Sequence, residues 1–473
     1  MGRCVYGGIY DPSSQYADGD GFRKDVIALV QEMGVTIVRY PGGNFLSGYD
    51  WKDGVGPVES RPQRLDLAWH SLESNEFGLD EFMKWSKIAG IEPMMANNLG
   101  TGTLKDALQL LEYCNSDAPS AMAAYRAQNG NSEPHGVKVW CLGNEMDGPW
   151  QLGHKSGDDY GKLAADVARG MRQMDPDVEL VACGSSHRQM PTFGAWEEQV
   201  LDHTYDLVDH VSMHAYYENN YDDLQSFLVS STDLDAFITD ICAVADSVKA
   251  RKRSDKVITF SLDEWNVWYL SRIQKILPLP TWEKGPALSE DDYTVADAVV
   301  VGNLLVSVLR RADRVKMACL AQLVNTIGTI RAEAGGEAWR QTSFYPFSLT
   351  ARHARGESLV TRVVSPTLQT GKFGEVDAID AIATVDDKAK EAAFFLVNRS
   401  AGDTIDVTLD LRGFAGFEVL EHVVLSDPDP LRTNTVAEPT AVTPTTQECS
   451  AEGAAISLTL PPVSWNMVRV KLA

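Results

Sequence analysis

Val137-Lys138-Val139-Trp140-Cys141-Leu142-Gly143-Asn144-Glu145 is a short apolar run that closes on a carboxylate. Its β-branched and aromatic residues read as a buried strand. Behind it, Met146-Asp147-Gly148-Pro149-Trp150-Gln151 supplies turn chemistry and a Trp. The same plan recurs far downstream in Thr259-Phe260-Ser261-Leu262-Asp263-Glu264-Trp265. A carboxylate at the end of a buried strand is costly to desolvate unless it is paired or used. For an isolated Asn-Glu pair, a helix cap or surface carboxylate is the plainer reading; for Glu264, it is an ion pair with a neighbouring Arg. Yet no Lys or Arg lies between Lys256 and Arg272, while Trp265, Asn266, Trp268 and Tyr269 crowd Glu264. Two such carboxylates among aromatics point to acid–base or nucleophilic work on a neutral sugar, whose apolar faces stack on rings and whose hydroxyls bond carboxylates.

Outward from these runs the chain alternates. Strand candidates at 4–9, 35–39, 92–96, 137–142, 179–183, 208–213, 257–262 and 317–324 are separated by amphipathic stretches at 22–33, 80–89, 104–114, 157–174, 196–204, 234–250 and 294–312. In 22–33, for example, Phe22, Val26, Leu29, Val30 and Met33 share one helical face. Eight strands with intervening helices favour a closed (β/α)8 (TIM) barrel. A doubly wound open sheet is the alternative, and no GxGxxG follows the first strand to support it. Glu145 then follows the fourth strand and Glu264 the seventh. Asn44, Asn97, Asn98, Ser185, His214, Tyr216 and Gln322 also sit at strand ends and would share the carboxyl-terminal face, where barrel active sites lie. Past 351 the helical period vanishes. Residues 403–411 alternate strictly, and 391–398, 417–425, 455–460 and 465–472 add further strands. We therefore expect a catalytic barrel over 1–350 and an antiparallel, jelly-roll-like β-sandwich over 351–473.

A chain of 473 residues can bury a large core. Its net charge of −24 repels a nucleic-acid backbone, and no run approaches the roughly 18 apolar residues of a membrane span, so neither partner is expected. Seven cysteines, mostly inside apolar runs, fit small buried hydrophobes in a reducing compartment. None forms a CxxC pair or joins a His at ligand spacing, so no metal or cofactor is expected. Residues 1–7 lack the apolar core of a signal peptide, which points to the cytoplasm.

Four stretches carry a resemblance. Residues 137–151 and 263–269, with Arg39-Tyr40-Pro41-Gly42-Gly43-Asn44 and Ala321-Gln322-Leu323-Val324-Asn325, are similar to the signatures of the α-L-arabinofuranosidases of glycoside hydrolase family 51. The resemblance runs from Gly2 to the carboxyl terminus. It implies a barrel followed by a β-sandwich, hydrolysis with retention, no cofactor, and a homo-oligomer. Carried over residue by residue, Glu145 resembles the acid/base and Glu264 the nucleophile. Asn44, Asn144, Tyr216 and Gln322 match positions that bind the arabinofuranosyl ring, Asn144 at the 2-hydroxyl and Tyr216 also on Glu264. His214 reads equally as pocket wall and as a satisfied core histidine. Trp69 and Trp268 match aromatic positions near the aglycone, although core packing is the plainer reading of a lone Trp.

One departure stands out. In the family, a Glu-His pair whose Glu binds the ring closely precedes the segment matching 2–10, and this sequence lacks it, so we expect a natural start upstream of Met1. The activity implied is exo-acting release of L-arabinose from arabinan- or arabinoxylan-derived oligosaccharides. Two alternatives stay open: an endo-glucanase or xylanase on the same framework, and a weakly active sugar-binding protein lacking one ring contact.

Overall fold

In a computed structural model, which describes residues 1–220, 222–279 and 281–473, seven parallel strands form the central sheet. They are β1 (Ile37–Tyr40), β2 (Glu92–Asn97), β3 (Val139–Leu142), β4 (Glu179–Ala182), β5 (His210–Tyr217), β6 (Thr259–Val267) and β7 (Val315–Leu320). Each pairs with the next in chain order, the pattern that helical crossovers between parallel strands produce. The longer helices are α1 (Lys24–Met33), α2 (Leu79–Ala89), α3 (Leu104–Asn115), α4 (Gly157–Met174), α5 (Ala195–Thr204), α6 (Ser231–Lys252), α7 (Val295–Arg310) and α8 (Phe344–His353). In α4 the Ser156 side chain caps the Asp159 N–H, Asp158 and Asp159 sit in the electropositive first turn, and Tyr160, Ala164, Val167, Ala168 and Met171 form the buried stripe. Among the described residues, no helix is long and apolar enough to cross a membrane.

The expected first strand, 4–9, does not form. Gly2–Val5 is instead a helical turn, and the N–H groups of Ile9 and Tyr10 bond back to the carbonyls of Cys4 and Val5. Glycines permit this fold-back: Gly7 has φ +78°, and a Cβ on Gly8 would lie 2.1 Å from the Cys4 carbonyl oxygen. The barrel is therefore nearly closed, with β1 and β7 at the two ends of the ladder. Glu145 follows the third strand of this sheet and Glu264 lies near the carboxyl end of the sixth, rather than after the fourth and seventh.

After α8 the chain builds two antiparallel sheets from β8 (Ile379–Asp386), β9 (Glu391–Asn398), β10 (Ile405–Asp410), β11 (Phe417–Leu425), β12 (Ala455–Leu460) and β13 (Ser464–Leu472). The larger sheet has β8, β9, β13 and β11 side by side; the smaller has β10 against β12. Ile379, Leu396, Ile456, Leu458 and Val468 fill the space between them. The outer face of the larger sheet rests on α7, whose Val/Leu/Ala sequence is buried almost all round. One apolar cluster accordingly runs from the barrel through Leu304 to Phe395 and Trp465.

Candidate active site

The chain leaves β3 through Gly143 at φ +104° and reaches Glu145 at φ +45°, a left-handed conformation that costs a non-glycine residue of the order of 1–3 kcal/mol. Two groups hold the carboxyl there: Trp150 Nε1–H donates to Oε2 at 2.7 Å, and His214 Nδ1 lies 2.9 Å from Oε1. Glu264 is held from the opposite side. Arg39 Nη1 donates to its Oε1 at 2.9 Å and the Tyr216 hydroxyl to its Oε2 at 3.0 Å. Arg39 Nη2 also donates to Asn144 Oδ1 at 2.6 Å, and Asn144 Nδ2 donates to Asn44 Oδ1 at 3.2 Å. The strand ends are thus tied into one network across the mouth of the barrel.

His214 is 2% exposed. Its Nδ1 faces both Glu145 and, at 3.4 Å, Glu264 Oε2, while Nε2 lies 3.0 Å from Asp263 Oδ1. Burial alone would push the imidazole down, but the carboxylates of Glu264, Asp263 and Glu145 hold it well above the usual histidine range. Burial would likewise raise Asp263; Arg39 and His214 pull it below the usual carboxylate range instead. Burial, then the charges of Glu264 and Glu145, pushes the Tyr216 phenol far up, so it remains a donor.

Sequence spacing shows no sign of a metal cluster, yet the fold gathers Glu145, His214 and Glu264 with donor atoms within 4.8 Å of one another. Each carboxylate oxygen already has a hydrogen-bond partner, Trp150 and His214 on Glu145 and Arg39 and Tyr216 on Glu264. A guanidinium 2.9 Å from one carboxylate also repels a bound cation. The donor set fits a charge-paired proton site rather than a metal site.

A cavity of 450 Å³ opens on this cluster. Asn44, Trp69, Glu145, Tyr216, Glu264, Trp268 and Gln322 line it, whereas Asn144 and His214 stand one layer behind. The Trp268 ring packs edge-on against Tyr216 at 4.9 Å and lies 6.3 Å from Trp69, and its indole N–H bonds Ser289. A second hollow of 560 Å³ shares Asn44 with the first and carries Trp150, 47% exposed, on its wall.

Three members of the network escaped sequence reasoning. Arg39 is the only charge in residues 35–40 and was legible as a strand-end cation, but its partner lies 225 positions away. The absence of an Arg near Glu264 in sequence therefore said nothing about an ion pair in space. Trp150 was visible as an aromatic behind a turn, with no role attached to it. Asp263 was visible only as part of the run that closes on Glu264, and regular strand alternation would send the two side chains to opposite faces.

A model of the α-L-arabinofuranosidase 1 domain matches residues 29–231, and one of the α-L-arabinofuranosidase C-terminal domain matches residues 263–464. The chain is 52% identical to the intracellular exo-α-(1→5)-L-arabinofuranosidase of Streptomyces lividans, over 99% of this chain and 71% of that protein. It is 51% identical to the exo-α-(1→6)-L-arabinofuranosidase of Bifidobacterium longum, over 100% of this chain and 92% of that one. The solved structure of AbfB, a family 51 α-L-arabinofuranosidase from Bifidobacterium longum, superposes with a TM-score of 0.96 at 48% identity, covering 99% of this chain and 94% of that one. The chain belongs to the α-L-arabinofuranosidases of glycoside hydrolase family 51.

Proposed function

We propose that this chain is a retaining, exo-acting α-L-arabinofuranosidase that releases terminal L-arabinose from arabinan- and arabinoxylan-derived oligosaccharides, with Glu264 as nucleophile and Glu145 as acid/base. The observation that carries the reading is the separation of the two carboxylates, whose nearest donor atoms lie within 4.8 Å. Double displacement wants about 5–5.5 Å between carboxyl groups, whereas inversion needs about 6.5–9.5 Å to admit a water. In the first step Glu264 attacks the anomeric carbon while Glu145 gives its proton to the departing glycosidic oxygen. In the second, Glu145 takes a proton from water as that water displaces Glu264. Asn44, Tyr216 and Gln322 on the cavity wall supply hydroxyl partners for one furanose ring, and Trp69 and Trp268 supply apolar surface for the aglycone.

Release of arabinose from an aryl α-L-arabinofuranoside is the direct assay. Glu264→Ala should abolish it, and added azide should restore turnover as the β-arabinofuranosyl azide; full activity in Glu264→Ala without azide would overturn the nucleophile assignment. An endo-glucanase or xylanase would instead cleave unsubstituted β-glucan or xylan internally. The intracellular name of the Streptomyces relative and seven free thiols support a cytoplasmic setting. A homo-oligomer would cover some of the exposed apolar surface at Leu65, Leu67, Val360 and Val364, and light scattering on the eluted protein tests it.

A further inference from the structure

Asp263 and Glu264 are consecutive on β6, yet both side chains enter the same cluster. The ladder shows why. Pairing of β5 with β6 passes from Met213↔Leu262 directly to His214↔Glu264, leaving Asp263 as an extra residue without a partner. On the other edge the register passes from Leu262↔Ala318 to Trp265↔Leu320. This is a β-bulge at the strand's functional end, and bulges re-aim a side chain that regular pleating would send to the other face. Here it places a carboxylate whose side chain is 1% exposed 3.0 Å from His214 Nε2 and 3.7 Å from Arg39 Nε.

We infer that Asp263 is a positioning residue for the glycosidase reaction: it keeps the His214 imidazole doubly protonated, so that one Nδ1–H is shared between Glu145 and Glu264. The inference rests on the roles proposed above for the two glutamates. With Glu145 protonated as the acid, the buried charges of Asp263 and Glu264 meet the single guanidinium of Arg39; a neutral His214 would leave them under-compensated. The other ionisable groups nearby supply no cation. Cys141 on β3, Cys319 on β7, Cys183 beyond β4 and Tyr216 on β5 are all pushed upward by burial and stay neutral, and Asp147 adds only negative charge. Burial acts against the imidazolium, but Glu264, Asp263 and Glu145 outweigh it.

The arrangement suits double displacement. Before attack the nucleophile is the charged glutamate; in the glycosyl-enzyme it is esterified and the acid/base is charged. A fixed N–H at 2.9 Å from one and 3.4 Å from the other can support whichever carries the charge, with no proton leaving His214.

The deciding measurement is made on the wild-type chain: ¹⁵N-histidine NMR at pH 7, with His214→Gln used only to assign the His214 signals by their loss. Both ring nitrogens should be protonated; a His214 with one bare nitrogen overturns the inference. In Asp263→Asn, His214 should titrate within the working range, and the alkaline limb of the pH profile should move to lower pH. Its kcat should fall about tenfold or more while KM stays within about twofold. A folded Asp263→Asn with wild-type kcat and pH profile also overturns it. A wild-type chain inactive on arabinofuranosides would sink the functional reading, whereas the NMR result bears on the inference alone.

Discussion

Arg39 reaches three side chains on two other strand ends at once, bonding Glu264 and Asn144 and facing Asp263. A guanidinium does this because its donors are fixed in a planar fork; an ammonium is a single point. Arg39→Lys should therefore lose a charge-assisted bond of about 2–3 kcal/mol, which is roughly 30- to 160-fold in kcat/KM on an aryl arabinofuranoside. Glu145→Ala should be slow on substrates with poor leaving groups and much less impaired on activated aryl ones; equal loss on both would argue against its acid role. Both glutamates were legible in sequence because strand-end carboxylates among aromatics are rare and expensive. Tyr216 on Glu264 came with the resemblance, but the other partners were not legible. Arg39, Asp263 and Trp150 acquire meaning only from a register and a bulge, and neither is written in any local window.

Two features of α7 show how element-level detail reverses simple expectations. Replacing a mid-helix glycine by alanine usually stabilises by up to about 1 kcal/mol. At Gly302, however, the new Cβ would lie 2.2 Å from Cδ1 of Trp465, which is itself fully buried. Overpacking of that kind costs about 1–3 kcal/mol, so Gly302→Ala should lower the thermal midpoint. At the helix start, Asp297 closes a capping box with Thr294 and accepts the Tyr269 hydroxyl at 2.8 Å. Burial pushes its carboxyl up to about 6 from 3.8. The stabilisation from keeping it protonated is full below pH 3.8 and is lost as pH rises through about 6, at most about 3 kcal/mol. Asp297→Asn should thus gain on the wild type as pH rises from 4 to 7, read as the difference in thermal midpoints; a constant difference would refute the linkage. Most barrel strands could be read from apolar runs because parallel strands are buried on both faces. Residues 4–9 looked alike but fold back through their glycines, and β8 was overlooked because Asp380 interrupts its apolar pattern.

The barrel and the sandwich share a polar lock as well as an apolar one. Asp380 on β8 accepts Asn303 Nδ2 at 2.7 Å and is paired with Arg310; Arg310 also reaches Asp235 on α6 at 2.8 Å, and Arg399 stands 3.8 Å from Asp380. Removing one member of a buried pair costs about 3–5 kcal/mol. Arg310 is one-third exposed, which favours the low end. Asp380→Ala should then split the calorimetric transition, with the sandwich melting first. Trp465 and Gly302 have a further consequence, for recombination between relatives. A chimera joined near residue 350 would inherit its sandwich from one parent and the α7 socket from the other. Any parent with a side chain at the position of Gly302 would then collide with the incoming indole. Exchanging the sandwich together with 295–310 keeps knob and socket from a single ancestor, so the unit that travels well is defined by packing and not by where the strands begin.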